Sequence, residues 1–227
     1  MIDVARYAMD GVLCGLEVLP PAQALRIGGH CLRRGKRAES LLHALAAQPA
    51  LIAAVGAVLG ADLMVRNADV FIKLPGCEGR IDWHLDTSVP WPDCAGMANL
   101  WVALSHSGPD SGGVTYLPGQ HRTPLTDGPK DRDHLTLSET ARAGLPTHNA
   151  ICPTLSPGQA TLHAFSTPHR SGANGSTVPR VGLVLRYIDA GIAQEVAECG
   201  QGFLVSGQAR GTIGQRTDFP VGWHIMR

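Results

Sequence analysis

Residues 80–93 read RIDWHLDTSVPWPD. This run sets His84 and Asp86 two positions apart among apolar neighbours, in a segment with the character of a β-strand. Strand side chains alternate between faces, so His84 and Asp86 point one way and Leu85 the other. A carboxylate beside an imidazole on an inward face is costly unless something offsets its burial. A divalent cation would do so, and would fix the imidazole as a neutral ligand. Taken alone, His-x-Asp in a strand is more often a surface pair than a metal site, so the rest of the chain has to decide.

A second histidine would complete the two-histidine, one-carboxylate face that leaves coordination positions open on Fe(II). Of the ten histidines, His169 is best placed. It follows a strand-like run, sits behind Pro168, and precedes a Gly/Asn-rich turn in HRSGANGSTVPRVGLVLRY. Eleven residues on, Arg180 opens a further strand. Its guanidinium matches a carboxylate bidentately and stays charged when buried, which suits an anionic co-substrate beside the metal. Individually, His169 reads as a turn histidine and Arg180 as a surface arginine. Their order and spacing together are far more specific.

Around these residues the chain changes character once. Residues 1–60 are predicted to be helical support: residues 19–60 open on two prolines and carry apolar residues three and four apart. That pattern has a Gly-Gly interruption at 28–29 and a second break near Pro49. Residues 61–190 are rich in short strand-like runs separated by Gly and Pro, among them MANLWVALSH, GGVTYLPGQHR, QATLHAFST and RVGLVLRYI. Residues 123–150 read as a polar, lid-like surface excursion with one short helix at SETARAG, and residues 191–227 as a Gly-rich tail without assignable elements. The expected class is mainly β, a jelly-roll or barrel with helical support, forming a single domain over 1–227.

Composition narrows the partners. With 44% hydrophobic residues and 19 basic against 19 acidic side chains, the chain can bury a sizeable core and carries no net charge. Nothing directs it to nucleic acid or an anionic membrane, and no apolar run approaches the roughly 20 residues that span a bilayer. The segment MIDVARYAMDG has early acids and no basic-then-apolar order, so no secretory signal is expected. The six cysteines are widely and irregularly spaced, without a CxxC, which reads as reduced thiols in a cytoplasmic protein.

The stretches WHLD at 83–86, LWVAL at 100–104, SGGVTYLPGQH at 111–121, LSPGQATLHAF at 155–165 and HRSGANGSTVPRVGLVLRYI at 169–188 give the chain a family likeness. They occur in the order of, and the chain resembles, the phytanoyl-CoA dioxygenase-like Fe(II)/2-oxoglutarate oxygenases, from about residue 61 to 189. MDGVLCGLEVLPPAQALRI is a weaker echo of that family's opening strand and helix. The resemblance implies a double-stranded β-helix with the metal at its mouth. It implies His84, Asp86 and His169 as iron ligands, Arg180 on the distal carboxylate of 2-oxoglutarate, and Ser171 assisting. Trp101 would line the co-substrate pocket, although an ordinary core tryptophan fits equally. Asp69 and Lys73, on the strand before His84, would also contribute to co-substrate binding if no one-residue slip turns them to the other face. O2 is the remaining co-substrate, and the products would include succinate and CO2.

In the family's halogenating relatives a small residue replaces the metal carboxylate; Asp86 therefore points to oxygenation, most simply hydroxylation. Desaturation, epimerisation and cyclisation are other outcomes known among the relatives. A catalytically silent metal-binding jelly roll is the rival reading from another class. The substrate is expected to be a small metabolite or natural-product intermediate, contacted by Trp83, Thr87, Ser88 and Trp91 and by the 123–150 excursion. His163 reads either as a pocket residue or, preferentially, as a core histidine satisfied by backbone. His106 and His121 read as structural, His134 and His148 as solvated loop residues, and the protein as a monomer or homodimer.

Overall fold

The computed structural model describes residues 2–87, 94–130, 135–191, 202–208 and 220–227. Helix α1 (Val4–Asp10) leads into strand β1 (Val12–Glu17), followed by helices α2 (Pro21–Arg34), α3 (Glu39–Ala46) and α4 (Pro49–Leu59). Then come β2 (Leu63–Lys73), β3 (Ile81–Leu85), β4 (Met97–Ala103), β5 (Val114–Tyr116), β6 (Leu135–Thr136), helix α5 (Glu139–Ala143), β7 (Gln159–Ala164), β8 (His169–Ser171) and β9 (Arg180–Asp189). The tail contributes β10 (Phe203–Ser206) and β11 (Val221–Met226). The architecture is mainly β, as the sequence predicts. Among the described residues no single helix is long and apolar enough to cross a membrane.

The strands form two sheets. The larger has the order β1-β7-β4-β9-β2-β10, with β11 also pairing to β2; the smaller has the order β5-β8-β3-β6. All pairings are antiparallel except β11 with β2, which is parallel. One face of the large sheet is covered by the helices, with Leu42, Leu45, Leu51 and Val55 packed in one cluster with Val70, Leu100, Leu162 and Leu183. The other face looks toward the small sheet, and the site lies between them.

Three sequence expectations change. Helix α2 runs unbroken through Gly28 and Gly29. Gly28 is there for close approach, because a Cβ would stand 2.6 Å from the carbonyl oxygen of Leu104. Residues 123–150 are not merely a surface excursion. Their β6 pairs with the end of β3, matching Leu135 with Leu85, and Leu135, Leu137 and Leu145 are buried against Trp83, Leu85 and Leu117. Residues 191–227 supply two strands to the edge of β2, so the large sheet draws on segments at both ends of the chain. The described cysteines are all free thiols.

Candidate metal centre

Strands β3 and β8 lie antiparallel in the small sheet with His84 opposite His169. The register shifts between Ile81 and His84, and this irregularity lets Ile81 and His84 both face the cleft. Asp86 follows directly after β3, its backbone N–H held by the carbonyl of Phe165 at 3.0 Å. The three side chains converge, with one ligand atom from each of His84, Asp86 and His169 lying within 4.8 Å of the others. The imidazole rings are 4.1 Å apart, and the Nε2 atoms of His169 and His84 stand 3.3 and 3.9 Å from the Asp86 carboxylate.

The tautomers are set for a metal. His84 Nδ1 lies 2.8 Å from the Asp82 carbonyl and His169 Nδ1 lies 2.9 Å from the Thr167 carbonyl. A carbonyl can only accept, so each Nδ1 carries the proton and each Nε2 presents its lone pair inward. Burial opposes ionisation of Asp86, yet the facing His169, His163 and His84 hold its carboxyl well below the usual range. His169 experiences the reciprocal effect: burial lowers its pKa, but the Asp86 charge outweighs that and the net shift is upward.

Three further side chains brace Asp86. Asn99 of β4 donates Nδ2–H to Asp86 Oδ2 at 2.7 Å. His163 of β7 lies 3.6 Å from the same oxygen and 3.3 Å from the Asn99 amide nitrogen, with its Nδ1 lacking a protein partner. This corrects the backbone-satisfied reading of His163, which instead packs its ring against His169 and Tyr116. Burial pushes its pKa down to about 4, so it stands neutral. Arg186 of β9 places Nη2 3.4 Å from Asp86 Oδ1. The sequence reading missed Asn99 and Arg186. Arg186 was within reach of the alternation rule, since an even separation from Arg180 puts both arginines on one face of β9.

At the inner end of the cleft Arg180 is 2% exposed, donates from Nη2 to the Gly112 carbonyl at 2.8 Å, and leaves its buried Nε without a partner. Burial lowers its pKa to about 10, still far enough up to keep the cation at neutral pH. Trp101 lies with its ring 5.7 Å from the Arg180 guanidinium, packed over Gly182, where a side chain would collide with the indole. Lys73, fully buried, donates from Nζ to Ser171 Oγ at 2.9 Å, to Gly79 O at 3.0 Å and to Gly172 O. An ammonium only donates, so Ser171 accepts from it and keeps its own O–H for the cleft. Burial, with Arg180 nearby, brings Lys73 down to about 8.

The cleft holds a cavity of about 50 Å³ and pairs these polar groups with an apolar wall of Phe71, Ile81, Trp101, Val114 and Val184. Of the expected residues, His84, Asp86, His169, Ser171, Arg180, Trp101 and His163 line it. Lys73 acts on it only through Ser171, and Asp69 is turned to Asn67, Arg186 and His224. Trp83 does not line the cleft. Alternation sends it to the opposite face of β3, where it packs with Leu85 and Leu135 and lies 4.9 Å from the Arg170 guanidinium. Thr87 is buried outside the cleft lining. Ser88 and Trp91 fall outside the described residues.

Comparison with known proteins gives a consistent result. The model of the phytanoyl-CoA dioxygenase family matches residues 27–182. An ectoine dioxygenase from Sphingopyxis alaskensis is 28% identical over 163 residues, covering 63% of this chain and 52% of that protein. The chain thus spans about half the length of this curated relative. Among solved structures, the nickel complex of the non-haem monooxygenase ThoJ has a TM-score of 0.72 at 22% identity, covering 94% of this chain and 87% of that one. The epimerase SnoN, in complex with Fe3+, alpha-ketoglutarate and a nogalamycin compound, has a TM-score of 0.69 at 23% identity, covering 83% of this chain and 82% of that one.

Proposed function

The chain belongs to the phytanoyl-CoA dioxygenase family, and from that membership we propose that it is an Fe(II)- and 2-oxoglutarate-dependent oxygenase, most simply a hydroxylase of a small metabolite or natural-product intermediate. The observation that carries the reading is the convergence of His84, Asp86 and His169 with both Nδ1 atoms committed to carbonyls. The donor set, two neutral imidazoles and one ionised carboxylate, is that of a non-haem iron site with open positions. Iron bound there, with 2-oxoglutarate and O2, would supply the oxidising chemistry, releasing succinate and CO2.

The residues of this chain do the rest. Arg180, with its unpartnered Nε, and the Ser171 hydroxyl offer charge-assisted hydrogen bonds to the far carboxylate of the co-substrate. Lys73 orients that hydroxyl and adds positive charge behind it. Asn99, His163 and Arg186 hold Asp86 against rotation. Phe71, Ile81, Trp101, Val114 and Val184 keep the centre dry and fit an apolar portion of a small substrate. Asp86 would fill a coordination position with protein oxygen, which favours oxygen transfer over halogenation.

The test is anaerobic reconstitution with Fe(II), then 2-oxoglutarate and O2, scored by succinate and by a metabolite screen for products gaining one oxygen. Arg180→Gln should weaken 2-oxoglutarate binding about 10–100-fold, the value of one or two charge-assisted hydrogen bonds, while leaving metal affinity unchanged. A product of unchanged mass or one short of two hydrogens would replace hydroxylation with epimerisation or with desaturation or ring closure. Absence of both 2-oxoglutarate binding and succinate would favour a silent metal-binding jelly roll.

A further inference from the structure

Arg186, Asp69 and β11 form a continuous polar path from the metal centre to the edge of the large sheet. Asp86 Oδ1 lies 3.4 Å from Arg186 Nη2, and the other terminal nitrogen of Arg186 binds Asp69 Oδ2. Asp69 Oδ2 also accepts from Asn67 at 3.1 Å, and Asp69 Oδ1 lies 3.0 Å from His224 Nε2 of β11. The side chains of Asp86, Asp69 and Arg186 are 8, 10 and 12% exposed, whereas that of His224 is 46% exposed. One guanidinium fork therefore spans two buried carboxylates, and the second carboxylate is held from the surface by β11.

Strand β11 fits this arrangement closely. Its parallel register sets Gly222 beside Asp69 and His224 beside Phe71. Gly222 leaves room for the carboxylate, because a Cβ there would collide with Asp69 Oδ1 and force it to move. The His224 ring stacks on Phe71 at 4.4 Å with an interplanar angle of 12°, and Phe71 is part of the apolar wall of the cleft. A strand that merely finished the sheet would have no need to bring a glycine against one carboxylate and a histidine against both that carboxylate and a cleft residue.

We propose that Arg186 is a positioning residue for the metal carboxylate, and that β11, through Gly222 and His224, sets the Asp69–Arg186 pair that holds Asp86 in place. This rests on the reading of His84, Asp86 and His169 as the metal ligands. Residues 221–226 thereby act on the site from outside the cleft lining, through Asp69 and Arg186.

The experiment is a Co(II) titration of the metal-free full-length chain, followed by calorimetry and by the visible absorption of the bound ion, with circular dichroism and a cooperative melt as controls for folding. Arg186→Met and Gly222→Ala should each weaken Co(II) binding about tenfold or more and alter the absorption bands, the usual scale for loss of a partner that orients a ligand. His224→Ala should weaken it less, in the same direction. Gly222→Ala added to Arg186→Met should cost nothing further, because the strand acts through the arginine. If Gly222→Ala does not fold, half-exposed His224 carries the test. Unchanged affinity and spectrum in the folded strand variants, or independent multiplication of the strand and arginine effects, would overturn the proposal and leave the metal reading standing. A wild-type chain that binds no Co(II) would overturn both.

Discussion

His169 and Asp86 face each other at 3.3 Å, and this contact makes the metal-free and metal-bound proteins respond oppositely to pH. The histidine is raised above its ordinary value in the folded chain. Its protonated form therefore stabilises the metal-free fold below about pH 6.5, the ordinary imidazole value, and that contribution disappears as pH rises through the raised value. Metal needs the neutral ring, so affinity should climb over the same window. The expected result is that the gain in melting temperature on adding Co(II) is small below that value and widens above it. A gain that stayed constant, or shrank, with rising pH would contradict the pairing. At this scale the sequence was readable wherever alternation alone decides direction: His84, Asp86, Ser171 and Arg180 all face the cleft. The same rule, applied to Trp83, would have removed it from the list of substrate contacts. His163 was not readable, because its neighbours Asn99, Tyr116 and Asp86 come from three other parts of the chain.

Helices α2 to α5 and most strands of residues 61–190 appear where periodicity and turn residues place them, including the break near Pro49 and the short helix after Ser138, whereas α1 was not placed and β1 is a strand within the stretch read as helical support. The other failures share a physical cause. A Gly-Gly pair weakens a helix locally, but tight packing of α2 on Leu104 compensates, and that packing is invisible from the glycine alone. Residues 123–150 are polar on average, which conceals three leucines that become meaningful only against Trp83 and Leu85. Leu137 is the sharpest test, being 1% exposed with its backbone N–H bonded to the Trp83 carbonyl at 2.9 Å. Leu137→Ala should cost about 2–5 kcal/mol in urea unfolding, the cost of truncating a buried leucine. A loss within about 0.5 kcal/mol, typical of a surface site, would return the segment to the status of a loose flap.

The whole molecule joins two sheets around the centre. The proposed ligands come from β3, the turn after it and β8, while the groups that brace Asp86 come from β4, β7 and β9 of the large sheet. An ion held there would tie together ligands of the small sheet, and through the braced Asp86 would couple them to the large sheet. Saturating the site at about a hundredfold over its dissociation constant should stabilise the fold by about 2.7 kcal/mol, reversed by a chelator. Calorimetric melts with and without Mn(II) measure this directly, and superimposable melts with binding independently demonstrated would show that the ion also binds the unfolded chain. The layered architecture was legible from the spacing of strand-like runs. The roles of β10 and β11 were not, since the glycines scattered through the tail break up its short apolar runs, which signal pairing only once β2 is there to receive them.

Both tail strands lie along the same flank of β2, one in each direction. They occupy backbone donors and acceptors that would otherwise form a long unpaired edge. A chain stopped short of these strands would offer that edge to any neighbouring molecule, inviting intermolecular pairing and precipitation. The tail thus doubles as a cover against self-assembly, and shortened versions of the protein should be judged by light scattering before they are judged by turnover.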